Sequence, residues 1–170
     1  MTGDKRAAFA ALYELYFPKI YNYVYGSLLN RMAAEDVTAE VFFAALVSFD
    51  RYDEARGSAA AWLGTIARNK VRNYFKKAHV RHEILGGEMP EETAMPVFFA
   101  EEGKRLRDPE NRELFRRLQN LTEDERDLLE LRYGLELTNG EIAALVGISA
   151  EAVRKRCERI IEKCRLGQKK

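Results

Sequence analysis

The sequence predicts an all-α protein built from two small helical domains. Three observations lead there. Apolar residues recur at spacings of three and four over long stretches, the signature of helices with one buried face. No stretch shows a convincing strand alternation. A segment punctuated by Gly86, Gly87, Pro90, Pro96, Gly103 and Pro109 separates the two periodic regions. The expected division is 1–80, a linker over 81–109, and 110–170.

The elements follow in order. Phe9, Leu12, Tyr13, Tyr16 and Phe17 form the first apolar stripe, and Pro18 is expected to break it. Ile20, Tyr21, Val24, Tyr25 and Leu28 form a second. A helix from Ala33 to Val47 carries Val37, Val41, Ala44, Ala45 and Leu46. The polar run SFDRYDEARG reads as a loop. Ser58 then caps a helix from about Ala59 to Lys77, its hydroxyl serving an orphan N–H of the first turn. Trp62, Leu63, Ile66, Ala67, Val71 and Tyr74 line the apolar face of that helix. In the last third, Asn111–Leu118 reads as a helix. Thr122 with Glu125, and Thr138 with Glu141, each form a capping box. Gly134 is a helix stop. Ser149 caps a final helix to about Arg165.

Composition bounds the function. The 170 residues are 46% hydrophobic and 32% charged, a foldable balance. No apolar run approaches the roughly 20 residues that span a bilayer, and the N-terminus has no apolar leader. The expectation is a cytoplasmic protein with no membrane insertion. Cys157 and Cys164, seven apart in a helical pattern, read as small core residues rather than a disulfide framework. With His79 and His82 the only histidines, no metal-ligand spacing appears. No Gly-rich phosphate loop or nucleophile motif is present. No catalytic residue, no metal and no cofactor is expected.

Charge is distributed unevenly although the net is only +1. Gly64–His82 carries six bases and no acid. Glu83–Glu113 carries nine acids against four bases, and Ala150–Lys170 eight bases against three acids. Two basic stretches around an acidic middle suit a polyanion touched at two places.

Three motifs carry chemistry. TNGEIAALVGISAEAVRKRCERI is a helix-turn-helix. Ala143 is small where the helices approach, and Gly147 fits a turn that wants positive φ. Its second helix buries Val153, Cys157, Ile160, Ile161 and Cys164, leaving Arg154, Lys155, Glu158 and Arg159 off the stripe. Such a helix can lie in a major groove. In the second motif, AWLGTIARNKVRNYFKK, bases alternate with Trp62, Asn69, Asn73, Tyr74 and Phe75, with Phe49 and Tyr52 just upstream. That mixture suits single-stranded nucleic acid, through stacking, edge recognition and phosphate contacts. The third is AAEDVTAEVFFAAL, where Asp36 and Glu40 share a helix face beside Phe42 and Phe43. It reads as a protein-binding surface, since nothing completes a two-carboxylate catalytic site.

Together, in this order and spacing, these segments resemble the extracytoplasmic-function class of bacterial RNA polymerase sigma factors. The resemblance covers nearly everything from Phe9 to Arg165 except the linker. It implies a non-enzymatic alternative sigma factor, with region 2 and region 4 as the two domains. Its partners would be core RNA polymerase, at the clamp coiled coil and the flap, and promoter DNA, duplex and non-template single strand. An anti-sigma factor, common in this class, is the further kind of partner it brings. Asp36, Glu40, Val41, Phe42 and Phe43 would dock on the clamp. Phe49, Tyr52, Trp62, Ile66, Arg68, Asn69, Lys70, Arg72, Asn73 and Lys76 would melt and read the −10 element. Asn69 and Ile66 match positions lining a pocket for a flipped-out base. Ser149, Ala150, Glu151, Arg154, Lys155, Glu158 and Arg159 would read the −35 element. Ala39 stands where the family often has Gln, and Thr65 where it often has a base.

The alternative is a one-component helix-turn-helix regulator that binds duplex DNA as a dimer. It accounts for the last motif but not for its conjunction with the first two.

Overall fold

The computed structural model of the chain describes residues 3–85, 117 and 120–166. The described residues are helical throughout, joined by turns, with no strand among them. The expected helix Asn111–Leu118 lies outside the described residues apart from Arg117, and so does the apolar run Met95–Ala100.

Three long helices make the first domain: α1 (Gly3–Leu28), α2 (Arg31–Ser48) and α3 (Ala59–Leu85). α1 passes through Pro18 without a break, contrary to the sequence expectation. Proline removes one helix hydrogen bond and crowds the preceding turn. Phe9, Leu12 and Phe17 before it, and Ile20, Tyr23 and Val24 after it, all pack on the same core. Tertiary burial on both sides holds the two halves in one helix.

Asn30 caps α2, its side chain accepting from the Ala33 N–H at 2.8 Å. Ser58 caps α3, accepting from Ala61 N at 3.2 Å. Between α2 and α3 lie two 3-10 turns, Phe49–Arg51 and Glu54–Arg56. α3 continues to Leu85, several residues past the expected boundary at 80.

In the second domain α4 (Glu123–Leu129) is started by the Thr122–Glu125 capping box, as expected. A π-type turn over Glu130–Gly134 ends it. There the Leu135 N–H reaches back five residues to the Glu130 carbonyl at 2.9 Å. α5 (Asn139–Val146) follows the Thr138–Glu141 capping box, and α6 (Ala150–Leu166) follows Ser149. Gly147 between them has φ +79°, the left-handed value that the sequence required there.

The two domains share one core. Ile20, Tyr23 and Val24 of α1 and Leu63 of α3 belong to the same buried cluster as Leu128, Leu131, Leu135, Leu137 and Ile142. Gly64 permits the approach: a β-carbon there would meet Leu135 at 3.2 Å and Leu137 at 3.5 Å.

Candidate nucleic-acid interface

The α2 face divides cleanly. Val41 and Phe42, expected on the docking surface, are 0% and 5% exposed and belong to the core. Phe42 lies 4.7 Å from the Tyr13 ring and 5.7 Å from that of Phe17. Helical geometry turns the next residue outward, and Phe43 is 70% exposed. Asp36, Ala39 and Glu40 are exposed on the same side. Met32, Leu46 and Val47 extend this outward apolar face. The sequence reading missed these three, because at helical spacing they merge with the core stripe. Glu40 pairs with Lys70 of α3 at 3.0 Å, so one carboxylate from the docking set holds one base from the −10 set.

The loop and α3 bring the aromatic set together. Tyr52 and Trp62 have ring centroids 4.8 Å apart, and Phe49 lies 6.2 Å from Trp62. Phe9 of α1 packs edge-on to Phe49. Trp62 and Ile66 are half-buried and Asn69 is exposed. Tyr52, Trp62 and Asn69 line one cleft of about 510 Å³. Arg51 and Arg56 line it too, although the sequence reading passed over them. Their position inside the FDRYDEAR loop was the signal available. Ile66 does not line this cleft, nor do Arg72, Asn73 or Lys76. The latter three are exposed along α3.

The second wall of the cleft comes from the other domain: Glu141, Ala144 and Leu145 of α5. Ser58 at the start of α3 donates to the Glu141 carboxylate, while that carboxylate also completes its own capping box. This doubled bonding holds its pKa below the usual carboxylate range.

Arg68 departs most from its expected place. It is 9% exposed, and its guanidinium bonds Asp127 of α4 at 2.7 Å and the Leu145 carbonyl at 3.2 Å. Tyr23 of α1 donates to the other oxygen of Asp127 at 2.7 Å. Burial first, then the Asp127 charge, push the Tyr23 phenol well above its ordinary range. In this arrangement Arg68 is an interdomain tie and not a surface phosphate contact. Lys19 of α1 reaches Glu136 across the same seam.

The helix-turn-helix has the expected form. Ile142, Val153, Cys157 and Ile160 are buried. Ser149, Ala150, Glu151, Arg154, Lys155, Glu158 and Arg159 are all exposed along α6. Arg154 pairs with Glu158 at 2.7 Å, and Lys155 with Glu151 at 2.8 Å. The two acids of the set therefore steer its bases along the exposed face. Arg159 shares an interdomain cleft with Arg72, joining members of the two sets expected to face DNA. Buried Cys157 and half-buried Cys164 are free thiols in the α6 stripe. Among the described residues there is no cluster of metal-ligating side chains. Among them, too, no helix is long and apolar enough to cross a membrane.

Comparison with known proteins matches both domains. The family described as Sigma-70 region 2 matches residues 12–81, and Sigma-70, region 4, matches residues 117–166. The chain is 31% identical over 147 residues to the ECF RNA polymerase sigma factor BldN of Streptomyces coelicolor. That match covers 86% of this chain and 55% of the relative, so the chain spans about half the length of that protein. It is 26% identical over 161 residues to the ECF sigma factor RpoE of Cereibacter sphaeroides, covering 94% and 85% of the two chains. Among solved structures, the sigma factor RpoE bound to the anti-sigma factor NepR from Bartonella quintana superposes with a TM-score of 0.78. That likeness covers 92% of this chain and 94% of the other, at 19% identity, and shows the fold. The chain belongs to the sigma-70 family of RNA polymerase sigma factors, in its extracytoplasmic-function group.

Proposed function

We propose that the chain is an alternative sigma factor that binds core RNA polymerase and directs promoter recognition and transcription initiation. The observation that carries this reading is the separation of three faces on one scaffold. The α2 face presents Phe43 with Asp36 and Glu40. The loop and α3 gather Tyr52, Trp62 and Asn69 around one cleft. The α6 helix buries one stripe and exposes its bases. Docking, −10 reading and −35 reading each need one such face, and residues 81–109 tether the readers.

The mechanism asks for no catalysis by this chain; the polymerase carries out the chemistry in the cytoplasm. Tethering both readers to one polymerase raises their effective concentration at the promoter. Flipping a base out of the stack costs a few kcal/mol, and stacking in the aromatic cleft offsets it. Because α5 walls that cleft, entry of a base requires the domains to part. An anti-sigma factor, as NepR is for RpoE in the named complex, fits as a partner that stabilises the closed arrangement.

The test is run-off transcription with bacterial core polymerase on a promoter library. Wild type is compared with Asn69→Ala and Arg154→Ala. Protein-dependent transcripts sharing a two-part motif establish the reading. The first variant is expected to lose −10 preference and the second −35 preference. Tight binding to duplex DNA without polymerase would instead make the protein a one-component regulator.

A further inference from the structure

Glu130 occupies an unusual place in the interdomain seam. It begins the π-type turn of the second domain, and its carboxyl projects onto Gly26 of α1 in the first. A β-carbon on Gly26 would lie 2.2 Å from Glu130 Oε1, and one on Gly134 would lie 2.7 Å from Oε2. Two glycines, one from each domain, therefore make the seat in which this carboxyl fits. Any larger residue at Gly26 would push the carboxyl out.

No charge compensates Glu130 in that seat. Lys19 of α1 is held by Glu136. Tyr23 of α1 and Arg68 of α3 are both committed to Asp127. Arg132, on the same turn as Glu130, donates to the Leu137 carbonyl. On α5, Glu141 is engaged by Thr138 and Ser58. Among the described residues the Glu130 carboxyl has no hydrogen bond or ion pair. Burial alone pushes its pKa from the ordinary 4.5 up to about 7. Glu130 is half-buried, and a carboxyl partly desolvated without a partner is held more easily neutral than charged.

We propose that the Glu130 carboxyl, seated between Gly26 and Gly134, makes the packing of the two domains proton-dependent: closed in mild acid, loosened as pH rises. The sign follows from linkage. The closed form binds a proton that the open form releases to water. The closed-to-open ratio therefore falls about tenfold per pH unit between 4.5 and 7, and is level above 7. Since α5 walls the aromatic cleft, the same proton governs access to Tyr52, Trp62 and Asn69.

Trp62 is the only tryptophan and lines the cleft opposite Leu145, so it is a native probe of closure. Acrylamide quenching of Trp62 in the free, full-length protein is measured from pH 5 to pH 8. Wild type is expected to become more accessible as pH rises. Glu130→Gln is expected to stay closed and flat. Gly26→Ala, which displaces the carboxyl into water, is expected to lose the pH response as well. Both substitutions are mild, and far-ultraviolet circular dichroism at each pH checks the fold. His79 lies 3.6 Å from Glu123 across the seam, and His79→Gln must retain the transition. A flat wild type, or a Glu130→Gln protein that keeps the wild-type slope, overturns the proposal. Neither polymerase nor DNA is present, so failure here leaves the sigma-factor reading untouched, and failed run-off leaves this one untouched.

Discussion

Arg68 Nε lies 2.7 Å from Asp127 Oδ2, joining α3, the helix proposed to read the −10 element, to α4 of the other domain. Both side chains are largely buried, at 11% and 15% exposure. Tyr23 holds the remaining oxygen of Asp127. Three helices thus meet at one carboxylate. A buried pair of this kind adds little or nothing over a well-packed apolar replacement, but losing one partner strands the other.

Asp127→Asn is expected to weaken the closed arrangement by about 3–5 kcal/mol, the cost of leaving a buried charge unpaired. Urea unfolding measures the loss, and Trp62 quenching reports whether the domains part. A single-stranded −10 oligonucleotide is expected to bind this variant more tightly than wild type. Unchanged affinity would show that α5 does not obstruct the cleft.

Phe42 and Phe43 are adjacent in sequence and opposite in role. Phe42→Ala removes a core ring and is expected to cost about 3–5 kcal/mol in denaturant unfolding. Phe43→Ala is expected to change stability by less than about 0.5 kcal/mol, while weakening core polymerase binding in a pull-down titration. Equal polymerase binding by wild type and Phe43→Ala would remove the α2 face from the docking surface.

The helix-turn-helix depends on its cap and its turn. Thr138→Ala removes a capping-box acceptor and is expected to cost about 1 kcal/mol. Gly147→Ala forces a β-carbon into left-handed backbone, for about 1–2 kcal/mol. Thermal unfolding measures both. In run-off assays these variants are expected to lose transcription mainly from promoters that depend on the −35 element.

Alkaline stability tests the Tyr23–Asp127 bond. The Tyr23 phenol is raised above its ordinary 10.0, first by burial and then by the Asp127 charge. The folded protein keeps this proton where the unfolded chain releases it. Its contribution is therefore complete below pH 10 and is lost as pH rises beyond. Tyr23→Phe is expected to flatten the fall in melting temperature above pH 10. An identical alkaline slope in the variant would place the titration elsewhere.

Local signals in the sequence were strong wherever the physics is local. Both capping boxes, the Ser58 and Ser149 caps and the left-handed Gly147 depend on residues within one helical turn of each other, and each could be read off a short window. Membership of the aromatic set was legible too, because Phe49, Tyr52 and Trp62 flank a single loop. Pro18 misled, since its local penalty is outweighed by burial contributed from distant helices. The exposed run Met32, Phe43, Leu46 and Val47 was hidden because apolar residues inside and outside look alike in a pattern.

By itself, then, the sequence determined the helices, their caps, the turn of the helix-turn-helix and the family to which three ordered motifs belong. Only the tertiary structure decided which of two neighbouring phenylalanines is core, that Arg68 is bound by Asp127, that α5 walls the aromatic cleft, and that Glu130 sits against Gly26. Caps and periodicity arise from backbone groups a few residues apart. Partner choice across the seam arises from residues 59 and 104 positions apart in the chain, and their meeting depends on how two buried stripes pack together.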